Sequence, residues 1–466
     1  MKSIRLFHGV SFGLCLWYLL SYVLQPFPAN LIAAALISML AFTAFRNPNG
    51  GAAAAVFLTP LTLSLGSHLI KYLGAGAPPY LPYAEIILVS VLWGWTWKVV
   101  LNGIAPGRFP LAPKSRTPAE RFLLGIFALW AILAVAGIYP ALYRNIMTSP
   151  PVPFRLWIIK LAFAPVWGMA DEFFPVTMAL RVMLALGFVY YAQIVVNKEL
   201  ILPRLVRIFC YAMAVAAAYA MIQAAFGIGY SKGGNPSYYI QSTFHENEAF
   251  ASFCLVALVM TAIEIPLNRS LFIRIHKSLF CGLYILGILL SASRAVMILG
   301  VFFCAAALLA KIWREPVVIQ RQWKWGLAAL VFVSLIWASA SALSPRIPDK
   351  IERLTHDLAV TKQYFTEEEF NQPGSSLTLV ARFKLWQSAM RMLGDSLGAG
   401  MGTGTYYRLT GFPLYQAIPI MENNHFFWLQ LPSELGWLGV GIAAALLIIP
   451  VWLWWSGSRA FAVISA

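Results

Sequence analysis

The sequence predicts an all-α fold: a polytopic integral membrane bundle of about twelve transmembrane helices with one large helical outer loop. Three observations lead there. Of the 466 residues, 60% are apolar and only 11% charged, with a mean hydropathy of +0.72, against about 45–50% and about 25% in a typical soluble domain. Apolar stretches near the roughly 20 residues that one span requires recur along the chain. The charges fall where a membrane topology would put them. Together these exclude an ordinary soluble enzyme. An aromatic content of 14% without a Gly-X-Y period excludes a disordered or collagen-like chain.

Twelve spans are expected, at about 9–24, 29–45, 52–72, 83–101, 119–140, 173–196, 203–226, 247–266, 277–293, 295–313, 325–343 and 436–456. Lys2 and Arg5 precede the first apolar run, as in a signal peptide. With so many spans following, it reads as a retained first span. Three interruptions are long: 141–172, 227–246 and 344–435. The organisation is then 1–246 for spans one to seven with their outer loops and 247–343 for spans eight to eleven. Residues 344–435 form the large outer loop, and 436–466 the last span and tail.

The net charge of +16 would point to nucleic acid in a soluble protein. Its placement says otherwise. With the N-terminus inside, the short inner connections hold nineteen Lys and Arg against Glu120, Glu199, Glu264 and Glu315, the positive-inside pattern. The outer segments balance, so both termini are expected in the cytoplasm and no nucleic-acid partner is expected. Cys15, Cys210, Cys254, Cys281 and Cys304 lie in apolar stretches without metal or redox spacing and read as small buried residues.

The outer loops carry the chemistry-bearing residues. Within 344–435 a helix is expected from about Leu377 to Leu393. Leu379, Phe383, Trp386, Met390 and Leu393 give one apolar face, and Arg382, Lys384 and Arg391 decorate it. It can lie on the bilayer or cap the bundle. Gly398, Gly400, Gly402 and Gly404 follow in GAGMGTGTYY. This is no P-loop, because no Gly-Lys-Ser/Thr follows and no strand precedes. Asn424 and His425 stand where the chain re-enters the membrane; His425 can take a proton near neutral pH or cap a helix.

A second cluster, Ser242-Thr243-Phe244-His245-Glu246-Asn247-Glu248, precedes a span, where a hydroxyl suits capping; its spacing is not that of a metal site. Ser293-Arg294 sits at an outer turn, where arginine suits either phosphate or a snorkelling position. Arg181 lies about two turns inside a span and needs a partner, for which Asp171, Glu172 and Glu434 are candidates.

The order of these pieces resembles the O-antigen ligase-like superfamily, which includes Wzy-type polysaccharide polymerases. The likeness rests on Ser242 to Asn247, Ser293-Arg294, Arg382 with Trp386 before GAGMGTG, and Asn424-His425 through Glu434-Leu435-Gly436-Trp437-Leu438-Gly439. It covers about 242–440. The resemblance implies a GT-C-like membrane transferase of the bacterial inner membrane with its active site facing the periplasm. The donor would be an undecaprenyl-diphosphate-linked oligosaccharide, the acceptor a glycan or lipid A-core, and neither metal nor cofactor would be needed. Carried over by motif, His425 is the general base, Arg294 binds the diphosphate, Arg382 assists, and Asn247 and Asn424 shape the site. The family's arginine upstream of the Ser-Thr-Phe stretch is replaced here by Tyr238, Tyr239, Ile240 and Gln241, which leaves Lys232 and Arg181 as the nearest cations. The family's proline at the position of Glu246 is also missing.

Polymerisation of exopolysaccharide or O-antigen repeat units is the favoured reading, with transfer to lipid A-core as the alternative. A lipid-linked glycan transporter is the alternative of a different class. It would require inverted repeats and a charged midplane cavity. The sequence offers only Arg181 inside a span and no repeat.

Overall fold

A computed structural model describes residues 2–24, 29–62, 83–102, 118–147, 153–166, 172–195, 202–226, 230–231, 238–239, 242, 247–263, 271–291, 293, 296, 378–410, 414–415 and 427–455. The helices are α1 Lys2–Val23, α2 Ala29–Arg46, α3 Pro48–Thr62, α4 Tyr83–Asn102, α5 Pro118–Ala136, α6 Ile138–Met147 and α7 Phe154–Ala162. After a 3-10 turn at Ala164–Val166 come α8 Phe174–Val195, α9 Leu202–Phe226, α10 Asn247–Ile263, α11 Leu271–Ser291, α12 Thr378–Asp395, α13 Tyr406–Leu409 and α14 Phe427–Trp455. The all-α expectation needs one amendment. Tyr230–Ser231 (β1) and Tyr238–Tyr239 (β2) pair antiparallel, Tyr230 opposite Tyr239 and Ser231 opposite Tyr238.

Among the described residues, four helical stretches are long and apolar enough to cross a membrane: Arg121–Met147, Phe174–Gln193, Pro203–Phe226 and Leu429–Leu446. His8–Val23, Ala33–Arg46, Ala249–Thr261 and Ile275–Ser291 are shorter apolar helices. The expected span at 295–313, apart from Val296, and the expected span at 325–343 lie outside the described residues. The last helix starts at Phe427, nine residues ahead of the expected span. Its first turns carry Gln430, Ser433 and Glu434, polar residues that sequence reading assigns to a loop: Ser433 donates to the Gln430 carbonyl, Gln430 donates to Glu434, and Glu434 accepts from the Gly404 amide of the glycine segment.

The chain divides into two compact units. Unit 1 comprises Met1–Ala52, Glu85–Lys198 and Val360–Phe461; unit 2 comprises Ala53–Ala84, Glu199–Ala359 and Ala462–Ala466. In unit 1, α5 packs on α8, and α14 packs on both α5 and α12. Small residues set the approach: Ala131 and Ala134 of α5 bury against Ala179 and Val182 of α8. Apolar helices in lipid gain little from hydrophobicity alone, so close backbone contact through small side chains holds them. Gly94 of α4 meets α2 so closely that a Cβ there would overlap the Ala41 carbonyl. In unit 2, α10 packs along α11 and both pack on α9. Met213, Ala216, Ala217 and Ala220 of α9 recur at helical spacing and face Phe250, Ala251 and Cys254 of α10. Tyr284 of α11 donates its hydroxyl hydrogen to the Cys210 carbonyl at 2.7 Å. Cys15, Cys210 and Cys254 are buried and Cys281 is half-buried, as their settings suggest.

Helix α12 occupies the expected stretch but shows a different face. The buried residues are Leu385, Ser388, Ala389, Met392 and Leu393, while Met390 is exposed. The reason is steric. Small Ser388 and Ala389 admit the Tyr406 ring and the Tyr415 backbone: Tyr406 donates to the Leu385 carbonyl at 3.0 Å, and Ser388 to the Tyr415 carbonyl. The helix packs on α14.

Candidate functional site

Within unit 1, the site is built where the glycine segment meets a break in α14. Helix α12 ends in a Schellman turn: the Gly398 amide donates to the Leu393 carbonyl at 2.9 Å and the Leu397 amide to Gly394 at 2.8 Å. Leu397 takes the left-handed position with φ of 52°. Gly398, Gly400, Gly402 and Gly404 all have positive φ, as does Gly436 inside α14, where the helix is non-helical at φ 66° and ψ −150°. A break in a helix orphans backbone groups that must be paired elsewhere. The glycine segment pairs them. Met401 and Gly402 amides donate to the carbonyls of Ser433 and Glu434, each at 2.9 Å, and the Trp437 amide donates to Gly398 at 2.9 Å. Only glycine allows that approach: a Cβ at Gly400 would overlap the Glu434 carbonyl, and one at Gly436 the Gly398 carbonyl.

Glu434 closes the junction. Its side chain is 4% exposed. Oε2 accepts from the Gly404 amide at 2.8 Å, and Oε1 accepts from Gln430 Nε2 at 3.0 Å and the Tyr406 amide at 3.4 Å. On the other side, α6 grips the segment: Arg144 Nη1 donates to the Met401 carbonyl at 2.8 Å. Arg408 of α13 reaches back to the Asn145 carbonyl at 3.5 Å. Lys160 of α7 pairs with Glu172 at 2.6 Å. Burial is the largest single influence and works against the Glu172 charge, but the Lys160 hydrogen bond, a backbone hydrogen bond and the Lys160 and Arg408 charges together outweigh it and hold that carboxyl below its ordinary value. Burial pushes the Tyr406 hydroxyl well above its usual range, and burial with the Asp395 carboxylate raises Tyr415. Both are therefore protonated donors at neutral pH.

Arg181 finds a partner that the sequence did not suggest. Its Nε donates to Glu85 Oε2 at 3.0 Å, and Tyr18 donates to the same oxygen. Glu172 is taken by Lys160 and Glu434 by the glycine segment; Asp171 lies outside the described residues. Tyr22 donates to the Pro165 carbonyl at 2.7 Å, which ties the 3-10 turn to the end of α1.

In unit 2, Ser242 is fully buried, with φ of 54°. Its hydroxyl donates to the Ala216 carbonyl of α9, and its own carbonyl accepts from Gln223 at 3.5 Å. It therefore fastens the segment to α9 rather than capping α10. Ser293 is buried just after α11, its amide donating to Ser291 Oγ at 3.3 Å.

Of the residues expected at the site, His425, Asn424, Arg294 and Lys232 lie outside the described residues. Arg382 falls in the first turns of α12 and Asn247 opens α10; both side chains are outside what is described. Sequence reading missed Glu434 as the clamp, and missed Arg144 and Arg408. The signal for Glu434 was the run of alternate glycines, which announces a backbone needing close partners. Nothing local marked the arginines. Among the described residues no group of three His, Cys, Asp or Glu could hold a metal ion.

Among the described residues, helices fit to cross a membrane, with a polar clamp at the break in the last of them, are those of a membrane protein. Residues 279–444 match a family model described as O-antigen ligase. That match makes this segment, 166 of the 466 residues, similar to the O-antigen ligase family. No curated relative and no solved structure matches the chain. The matched segment contains the glycine run, Glu434, Arg294, Arg382, Asn424 and His425; Arg181, Lys232 and Asn247 precede it.

Proposed function

We propose that the protein is a multi-pass inner-membrane glycosyltransferase that takes an undecaprenyl-diphosphate-linked glycan as donor. It polymerises repeat units of an exopolysaccharide or O-antigen on the periplasmic face. The observation that carries this reading is a coincidence: the family match spans the segment in which Glu434 pins the glycine run to the broken α14. His425 stands two residues before α14 begins.

In this reading the acceptor hydroxyl oxygen attacks the anomeric carbon of the donor glycan. The bond from that carbon to the diphosphate oxygen breaks. The hydroxyl proton passes to the His425 imidazole, and the charge left on the lipid diphosphate meets Arg294, with Arg382 assisting. Asn247 and Asn424 shape the site, and Lys232 supplies the cation nearest the missing family arginine. Arg181 is engaged by Glu85, so in this reading the ion pair, rather than a free cation, is what meets the diphosphate or sugar.

Transfer to lipid A-core is the second reading, favoured by the description of the matching family. Purified protein in nanodiscs, given the lipid-linked repeat unit, separates the two. A ladder of longer glycans on the lipid supports polymerisation. Product only on added lipid A-core supports ligation, and movement of the donor without transfer rejects both.

A further inference from the structure

We infer that α7 lies flat in the lipid–water boundary as an in-plane amphipathic helix whose partner is the phospholipid bilayer. With α6 it fixes the depth of the glycine segment. The inference rests on membrane embedding and not on the proposed reaction.

One face of α7 is tied to unit 1. Trp157 stacks edge-on against Phe173 with ring centroids 5.0 Å apart, Lys160 pairs with Glu172, and the Ala162 carbonyl accepts from Trp17 Nε1 at 2.8 Å. The opposite face is almost wholly apolar and open. Phe154, Leu156, Ile158, Ile159 and Leu161 are all exposed, Ile158 to 55%. No side chain of this nine-residue helix is buried. In water such a face is a liability.

Three observations name lipid as the cover. First, the preceding helix α6 ends a membrane-crossing stretch that has an open face of its own. Ile132 and Val135 of α5 are exposed, and the line runs on through Tyr139, Tyr143 and Met147 of α6. Second, the residue type changes along it from aliphatic to tyrosine, as at a membrane interface. At an α-helical rise, Ile132 lies about 16 Å from Arg121 on one side and from Tyr143 on the other. Half of the hydrocarbon core is about 15 Å. Ile132 therefore marks the middle, and Tyr143 with Arg144 one headgroup layer; α7 follows within a short connection. Third, Arg155 sits amid the apolar face, exposed. An arginine there suits headgroup phosphate better than hydrocarbon or an apolar protein patch.

The inner face of α6 carries the consequence. Ala141 lies against Gly402, and Arg144 holds the Met401 carbonyl. The headgroup end of α6 thus holds the glycine segment close to headgroup level.

The test uses the full chain in nanodiscs of phosphatidylethanolamine and phosphatidylglycerol, with the photoreactive residue benzoylphenylalanine replacing Ile158 or, as a mid-bilayer reference, Ile132. Illumination should yield phospholipid adducts at both positions. In parallel, Arg155→Cys should react with a membrane-impermeant maleimide several-fold faster than the wild-type background. A covalent dimer at 158, or an adduct at 132 without one at 158, overturns the inference. So does an Arg155→Cys thiol that never reacts while Ile158 still labels lipid, because the helix would then lie within the hydrocarbon.

Discussion

The Gly404 amide donates to Glu434 Oε2 at 2.8 Å, joining the end of the glycine run to a helix thirty residues further along the chain. Two more donors converge on the same carboxylate, from Gln430 and the Tyr406 backbone. The helix break at Gly436 and the four alternate glycines are therefore one feature, in which a folded-back segment supplies the backbone partners that the broken helix lost.

Glu434→Ala should destabilise the protein by about 2–4 kcal/mol, because two buried backbone donors and the Gln430 amide lose their acceptor. Glu434→Gln should cost less than half as much. Its amide oxygen can serve Gly404 while Gln430 turns its own oxygen to the new NH2, so that only the longer Tyr406 amide bond, at 3.4 Å, is lost. Thermal unfolding of the purified variants in detergent checks the order; equal losses for both would contradict the hydrogen-bond account.

Gly400→Ala and Gly436→Ala should each prevent the clamp from closing, through positive φ and overlap with backbone that cannot move aside. Gly125→Ala is the contrast. Nothing lies within 4 Å of a Cβ there, and the site is helical. That variant should gain about 0.5–1 kcal/mol. Limited proteolysis between 396 and 410 reads the difference, with rapid cleavage expected only in the first two.

Leu397→Gly should stabilise the protein. Leu397 is 94% exposed and left-handed, so glycine loses no packing and removes a backbone cost of roughly 1–2 kcal/mol. The glycine's own flexibility returns part of this, leaving a gain of about 0.5–1 kcal/mol. A lower melting temperature would show that Leu397 makes contacts in the membrane that outweigh the turn.

Glu172 gives a pH dependence. Its folded carboxyl titrates below the ordinary value of 4.5, so the Lys160 pair contributes stability above the unfolded carboxylate range. That contribution is lost as pH falls through the folded value. Acid should therefore loosen α7 from unit 1. Glu172→Gln should lower stability at neutral pH and flatten the acid limb, and identical acid curves for both proteins would remove the pair from the account.

Much of the helical order was legible because apolar runs of span length need no partner to be recognised: α1, α2, α4, α8 and α9 begin and end within a few residues of expectation, apart from the earlier start of α1. What failed was every feature set by a distant neighbour. The buried face of α12 turned on the smallness of Ser388 and Ala389, which mattered only once Tyr406 and Tyr415 were beside them. Arg181 pairs with Glu85, 96 residues away, while Glu172 and Glu434, which the sequence offered, are engaged elsewhere. Ser242 looked like a cap and serves instead as a fastening to α9. The alternate glycines announced unusual backbone, but the identity of the clamping carboxylate required the fold. Of the proposed catalytic set, His425 and Arg294 stand on motif and family match alone.

In the proposed function, His425 is the base that takes the acceptor proton. The direct measurement is glycan transfer from the undecaprenyl-diphosphate-linked repeat unit by purified His425→Ala in nanodiscs, with wild type alongside. The account predicts loss of more than a hundredfold in transfer at unchanged melting temperature, the scale of a general base removed. Transfer at the wild-type rate by a folded His425→Ala protein would contradict it.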